Sequence, residues 1–439
     1  MSLASPAPPA TAAPAGAAGA AADGVSFSDL GFAAFLGLLV FAQVDALGNR
    51  LFGFLPVSAY SAFYLLTGTL AVLAWVGDRG TRLTGVSTPG IRFAAALLLW
   101  ALLAWTLSRH GEPGWEYMKG LAKAGALLAL AAMLVDTPQR LRAAIWAMVA
   151  AGLVSALVVY AEAYSGVRLF SASEAATTAE FGGIPRSAGG SDENPTTAAH
   201  MLLVSTGLLL GLFAGVRSAR MPAAAALVVC MGALALMAAR SAFIGLVPAL
   251  ALFLLVMRKE RSFPLVLLGL LALVIAAVIV SPALLDRITA LADWSRDPTL
   301  VRRTTYLAVG FDLLQQSPVW GIGPGNYPTY FVGDEYRFLP GRAPVMRELH
   351  NTYLDVTVEL GIVGLVLFLA LLGSAFAEAR RAFLGSDAVR AAGLALLLAL
   401  IALAVASFFM PNKDMRYLWI LLGLAFQGGR LARAGSAAQ

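Results

Sequence analysis

The chain has 439 residues, of which 59% are hydrophobic and only 13% charged. That charged share is about half of what a soluble domain carries, so a soluble multi-domain protein is excluded. The net charge of +6 is modest and suits anchoring charges beside a membrane; nucleic-acid binding would need a basic patch on a soluble surface.

Residues 1–24 are mostly Ala, Pro and Gly without a basic residue, which describes a disordered tail and not a cleavable signal peptide. Apolar runs then recur, each long enough to cross roughly 30 Å of hydrocarbon as a helix. Twelve spans are expected, at 29–47, 55–76, 91–107, 119–135, 142–163, 198–216, 221–238, 241–257, 263–281, 351–375, 389–409 and 416–430. β-barrels are excluded because their strands alternate in short segments. The fold class is therefore an all-α polytopic membrane protein of about twelve transmembrane helices, with residues 25–433 forming a single transmembrane domain.

Basic residues set the orientation, since Lys and Arg of short loops stay on the cytoplasmic side. One set of alternate loops carries Arg79 and Arg82, Arg140 and Arg142, Arg217 and Arg220, then Arg258, Lys259 and Arg261. The same set continues with Arg380, Arg381 and Arg390, and with Arg430 and Arg433 after the last span. Both termini are then cytoplasmic, and two long loops, 164–197 and 282–350, lie outside. The second contains 300–316, whose apolar spacing predicts an amphipathic helix, and the rigid Gly/Pro turn GIGPGNY at 321–327.

Few residues remain for chemistry. The single cysteine, Cys230, rules out an intramolecular disulfide, and three histidines (His110, His200, His350) argue against a multi-histidine metal centre. Arg240 sits between two spans with almost no loop to keep it in water. It either snorkels to the outer headgroups or offers its planar fork to an anion. Arg186 lies in the small-residue segment leading to span six, and Arg302 and Arg303 open the amphipathic helix. One of the doublet faces the bundle and the other water. His350 starts span ten, with an ordinary pKa suited to proton transfer, although a histidine there can equally be a satisfied interface residue. Glu359, nine residues on, reads as a buried structural carboxylate bonded to a neighbouring span. Asp192 and Glu193 lack metal-ligand spacing, so no metal is expected. Several arginines and one histidine on one membrane face fit group transfer from a lipid-diphosphate donor.

At these residues the sequence resembles the O-antigen ligase and polymerase superfamily of bacterial membrane glycosyltransferases. The matching pieces are GGSDENPTTAA after Arg186, AARSAF at Arg240, RRTTYLAVGFDLLQQSPVWGIGPGNY, HNTYLDVTVELGIVG from His350, and MRYLWILLGLAF. The resemblance covers about residues 180–425. It implies a twelve-span GT-C-type bundle in the inner membrane with its site at the periplasmic face. The implied donor is a glycan on undecaprenyl diphosphate, and the implied acceptor is a sugar hydroxyl of the lipid A–core oligosaccharide. Transfer would be inverting, with no metal or other cofactor. By motif position, Arg240 and Arg302 correspond to diphosphate-binding arginines, His350 to the essential histidine, and Arg186 to a further arginine. Arg302 is preferred over Arg303 because Tyr306 takes the aromatic position four residues on. Tyr327, Tyr330 and Tyr336 either line the acceptor side or anchor the loop at the interface.

The match from His350 to Gly364 favours a ligase over a polymerase. A transporter of lipid-linked or anionic substrates is the alternative of another class. It would need a site near the midplane, usually within repeated halves. No repeat is visible, and the candidate residues share one face.

Overall fold

The computed structural model describes residues 26–77, 88–167, 169–170, 187–191, 194–280, 298–340 and 345–437. Among these residues every regular element is helical. In chain order they are α1 (Phe27–Phe41), α2 (Asp45–Leu51), α3 (Ala59–Gly77), α4 (Pro89–Thr106) and α5 (Gly111–Leu134). Next come α6 (Pro138–Ser165), α7 (Pro195–Gly215), α8 (Arg220–Met237), α9 (Arg240–Met257) and α10 (Phe263–Val280). The chain finishes with α11 (Pro298–Gln316), the short α12 (Tyr327–Phe331), α13 (Thr352–Leu384), α14 (Asp387–Ala406) and α15 (Arg416–Ala437).

Among the described residues, nine helices are long and apolar enough to cross a membrane, or ten if the bent pair α1 and α2 counts as one span. The protein is thus a polytopic α-helical membrane protein. Each of the twelve expected spans coincides with helix, but three of them differ from expectation. The first is broken, because α2 leaves α1 at 112°. There Asp45 opens α2 and takes an ion pair from Arg416, at 2.8 Å, across almost the whole chain. The apolar stretch of α10 is short, and Gln427, Arg430 and Arg433 dilute the hydropathy of α15.

Local sequence explains the helix starts. Asn194 caps α7 by accepting from the amides of Thr196 and Thr197, both at 3.0 Å, with Pro195 in the first turn. Asn351 caps α13 in the same way, accepting from Tyr353 and Leu354 at 3.0 and 3.1 Å. The bundle packs around α7, whose spanning window is 83% buried. Gly207, Gly211 and Gly215 form a stripe that lets α14 approach closely at Ala399, Ala395 and Ala391. Small residues at every fourth position serve this purpose where lipid supplies no hydrophobic drive between helices.

A second, smaller core lies outside the bundle. It joins Tyr306, Val309 and Leu313 of α11 to Ile322, Tyr327, Phe331, Tyr336 and Leu349, and takes in Val358 from α13. The expected amphipathic helix is therefore real, spanning Pro298–Gln316, and its apolar face is one wall of this outer lobe.

The lobe is fastened to α13 at a break. Gly361 has φ 69°, ψ −176° inside the helix, a conformation a side chain would strain. A Cβ there would also collide with the backbone carbonyl of Val319. The break frees backbone groups that must find partners elsewhere. Ile322 N–H donates to Val358 O at 2.9 Å and Gly323 N–H to Glu359 O at 3.0 Å. Ile362 N–H donates to Pro318 O at 2.9 Å, and the Trp100 indole donates to Leu360 O at 2.7 Å. The GIGPGNY turn and the interrupted helix thus complete each other.

Candidate functional site

His350 occupies the turn between the outer lobe and α13. Its φ of 60° is unusual for a residue with a side chain, and it turns the extended 346–349 segment into the Asn351 cap. Its Nδ1 lies 2.9 Å from the carbonyl of Glu348. A carbonyl only accepts, so Nδ1 carries the proton and Nε2 presents a lone pair. The Tyr306 ring packs against the imidazole at 5.2 Å, fixing its plane.

Electrostatics keep this histidine neutral. Burial lowers its pKa first, then the charge of Arg303, with smaller contributions from Arg347 and Arg302, to about 4. The hydrogen bond to Glu348 opposes them. A neutral imidazole with one free lone pair, among arginine charges, is equipped to take a proton beside an anion.

The expected division of the doublet into one residue facing the bundle and one facing water is not seen. Arg302 and Arg303 are both half-buried, but Arg303 acts more strongly on His350 and also acts on His200. His200 is fully buried in α7, where its Nε2 lies 2.8 Å from the Ser241 hydroxyl. Its Nδ1 faces the Asn412 amide group at 3.2–3.4 Å. Ser241 is the residue after Arg240, which starts α9 where Ala238 turns the chain at φ 48°. Asn412 in turn donates from its backbone to the Thr352 hydroxyl at 2.7 Å, and its side chain donates to Ser407 at 2.8 Å. The Tyr417 hydroxyl donates to the Asn412 carbonyl oxygen. A continuous polar chain therefore runs from the residue beside Arg240, through His200, to the first turn of the helix that His350 precedes.

Below it lies a second buried group. Lys413 Nζ is 2.7 Å from Asp355 and bonds Glu359 as well. Glu359 also accepts from the backbone amides of Gly325, at 2.8 Å, and Tyr327, at 3.3 Å. Burial would discharge Lys413, but Asp355 and Glu359 outweigh it and hold its pKa well above the usual lysine value. Glu359 is a buried structural carboxylate as expected. Its partners, however, are the GIGPGNY turn and the 407–415 segment, not a neighbouring span.

Other expected residues separate. Tyr327 and Tyr336 are buried, their hydroxyls donating to Tyr306 O at 3.0 Å and Asp312 at 2.6 Å. They belong to the outer core and line no acceptor surface. Tyr330 alone of the three is half-exposed, edge-on to His110 at 5.0 Å. Arg186, Asp192 and Glu193 lie outside the described residues.

Sequence reading missed His200, Asn412 and Lys413. The signals were an ionisable residue inside a span, a functional pointer by default, and the charge-rich PNKDMRY between the last two spans.

No curated protein matches the chain. Residues 225–369 match the family model described as O-antigen ligase. That segment runs from α8 into the middle of α13 and takes in Arg240, Arg302, Arg303, His350 and Glu359. Over that third of its length, the chain is similar to the O-antigen ligase family.

Proposed function

We propose that the protein is an O-antigen ligase that transfers O-antigen polysaccharide from undecaprenyl diphosphate to a sugar hydroxyl of lipid A–core. The observation that carries this reading is His350, held neutral with Nε2 free beside the Arg303 charge. The acceptor hydroxyl gives its proton to Nε2 as its oxygen attacks the anomeric carbon of the donor sugar. The bond from that carbon to the diphosphate breaks, and its electron pair leaves with the lipid diphosphate. Attack opposite the leaving group inverts the anomeric centre.

Charge growing on the diphosphate needs donors already in place, which is the largest single contribution in such reactions. Arg303 and Arg240 suit that role, with Arg302 as a further ligand and Arg186 assigned to it by motif position alone. Guanidinium forks match phosphate oxygens in a way that a lysine does not. Because the leaving group is already a lipid diphosphate, arginines suffice and we read the reaction as metal-independent. EDTA without added divalent ions leaves transfer unchanged on this reading; loss on chelation, restored by magnesium, contradicts it.

We further read the bundle as a twelve-span GT-C-type fold in the bacterial inner membrane. Both termini are cytoplasmic on this reading, and His350 faces the periplasm. The deciding experiment incubates the purified protein with lipid-linked O-antigen and rough lipopolysaccharide. Glycan joined to lipid A–core is the expected product. Longer lipid-linked glycan instead identifies a polymerase, and movement of the intact donor across the bilayer identifies a transporter.

A further inference from the structure

At the end of the molecule away from His350, the last turns of α13 and α15 border an open cavity of about 730 Å3. The unbroken part of α13 from Gly361 to Arg381 alone rises roughly 30 Å, about the thickness of the hydrocarbon core, so the cavity lies at the opposite membrane face. Arg380, Arg381 and Arg433 line it together with the apolar Leu384, Ala377 and Ala432. Glu378 is buried behind them and takes Arg381 at 2.6 Å and Arg433 at 2.8 Å. Its close seat against α15 depends on Gly429, where a Cβ would overlap the carboxylate.

Arg381 and Arg433 share this one carboxylate, and with Arg380 beside them two positive charges are left over. Arg380 is exposed and makes no ion pair among the described residues. An excess of positive charge over an apolar floor, at headgroup level, matches one class of ligand. We propose that this cavity binds the headgroup of an anionic phospholipid, its phosphate on the arginines and the upper part of an acyl chain on Leu384 and the alanines. Basic pockets between helix ends at one membrane face recognise such headgroups. The site is separate from the transfer site and does not depend on the reading of the reaction.

The test uses the full chain in phosphatidylcholine nanodiscs, with cardiolipin or phosphatidylglycerol added and bound lipid counted by native mass spectrometry. The wild type retains the anionic lipid and not phosphatidylcholine. Arg380→Gln weakens retention about fivefold, the share of one interfacial arginine, with an unchanged Tm because no internal partner is lost. Glu378→Gln, which removes the competing carboxylate, retains the lipid at least as tightly. Equal retention by wild type and Arg380→Gln, or equal retention of phosphatidylcholine, overturns the proposal. Displacement of the lipid by millimolar inorganic phosphate also overturns it, by making this a site for soluble anions.

Discussion

A histidine whose pKa lies near 4 behaves differently from a free one, and the difference is measurable. As a general base His350 must be neutral, so transfer holds down to about pH 4 and not only to the free-histidine value of 6.5. His350→Ala and His350→Gln lose the chemical step while still binding donor. A donor-binding assay beside single-turnover transfer checks this, and normal transfer by the alanine variant would sink the assignment. Arg303 is the largest influence after burial, so Arg303→Ala moves the acid limb upward, and Arg302→Ala moves it less. Both variants also weaken donor binding, and Arg240→Lys rescues poorly, because a point charge lacks the bidentate fork. An unchanged pH profile in Arg303→Ala would assign the charge elsewhere. The depressed pKa also bears on stability. Between pH 6.5 and about 4 the unfolded chain takes a proton that the folded chain refuses, so stability falls through that window on acidification. His350 was legible in the sequence because its motif is local. The part of His200 was not, since its partners Ser241 and Asn412 come from two distant segments.

Among the elements, the fastening of the outer lobe to α13 is the most exposed to mutation. Lys413 balances two buried carboxylates, so its removal leaves Asp355 and Glu359 uncompensated, whereas removal of Glu359 leaves the Lys413–Asp355 pair and orphans the Gly325 and Tyr327 amides. Lys413→Leu costs about 3–5 kcal/mol and Glu359→Leu less, while the double variant costs less than the sum of the two. Thermal unfolding of the four proteins in detergent tests this, and simple additivity would show that the pair is not coupled. Gly361→Ala meets both a strained φ and the Val319 carbonyl, and lowers the Tm even though alanine favours helices elsewhere. Helices themselves were readable from hydropathy, usually to within a few residues. The bend between α1 and α2 was not, because FAQVDAL contains neither Gly nor Pro, and what holds it is Arg416 far along the chain. The break in α13 was equally hidden, since the helical pattern of VTVELGIVG continues across it.

Over the whole molecule, the alternation of basic loops is the feature that orients everything else. Cys230 is the only cysteine and is fully buried, so the natural background to thiol reagents is silent. Asp334→Cys in the outer lobe is expected to label with an impermeant reagent from the periplasm. Ser218→Cys in the turn before α8 is expected to label only after the membrane is opened. The reverse pattern would place His350 on the cytoplasmic side and remove the basis of the proposed reaction. On the proposed orientation, Lys413 and Arg416 are exceptions to the charge rule, since they fall on the periplasmic side. Both are neutralised within the fold, by Asp355 and Glu359 and by Asp45. Charge counting works on loops in water and fails where the loop is part of the core.

The interruption at Gly361 also says where this protein can be cut and rejoined. The first nine residues of α13 share a core with α11 and α12 through Val358, and they carry His350 at their head. The remainder of the same helix belongs to the bundle. A chimera with a related enzyme should therefore change over inside α13, at Gly361, with the upper segment travelling with the lobe. Joining at the visible loop end near residue 350 would instead pair one parent's base with the other parent's cradle. Exchanged as one cassette, residues 298–361 keep the lobe, the GIGPGNY turn and His350 from one parent.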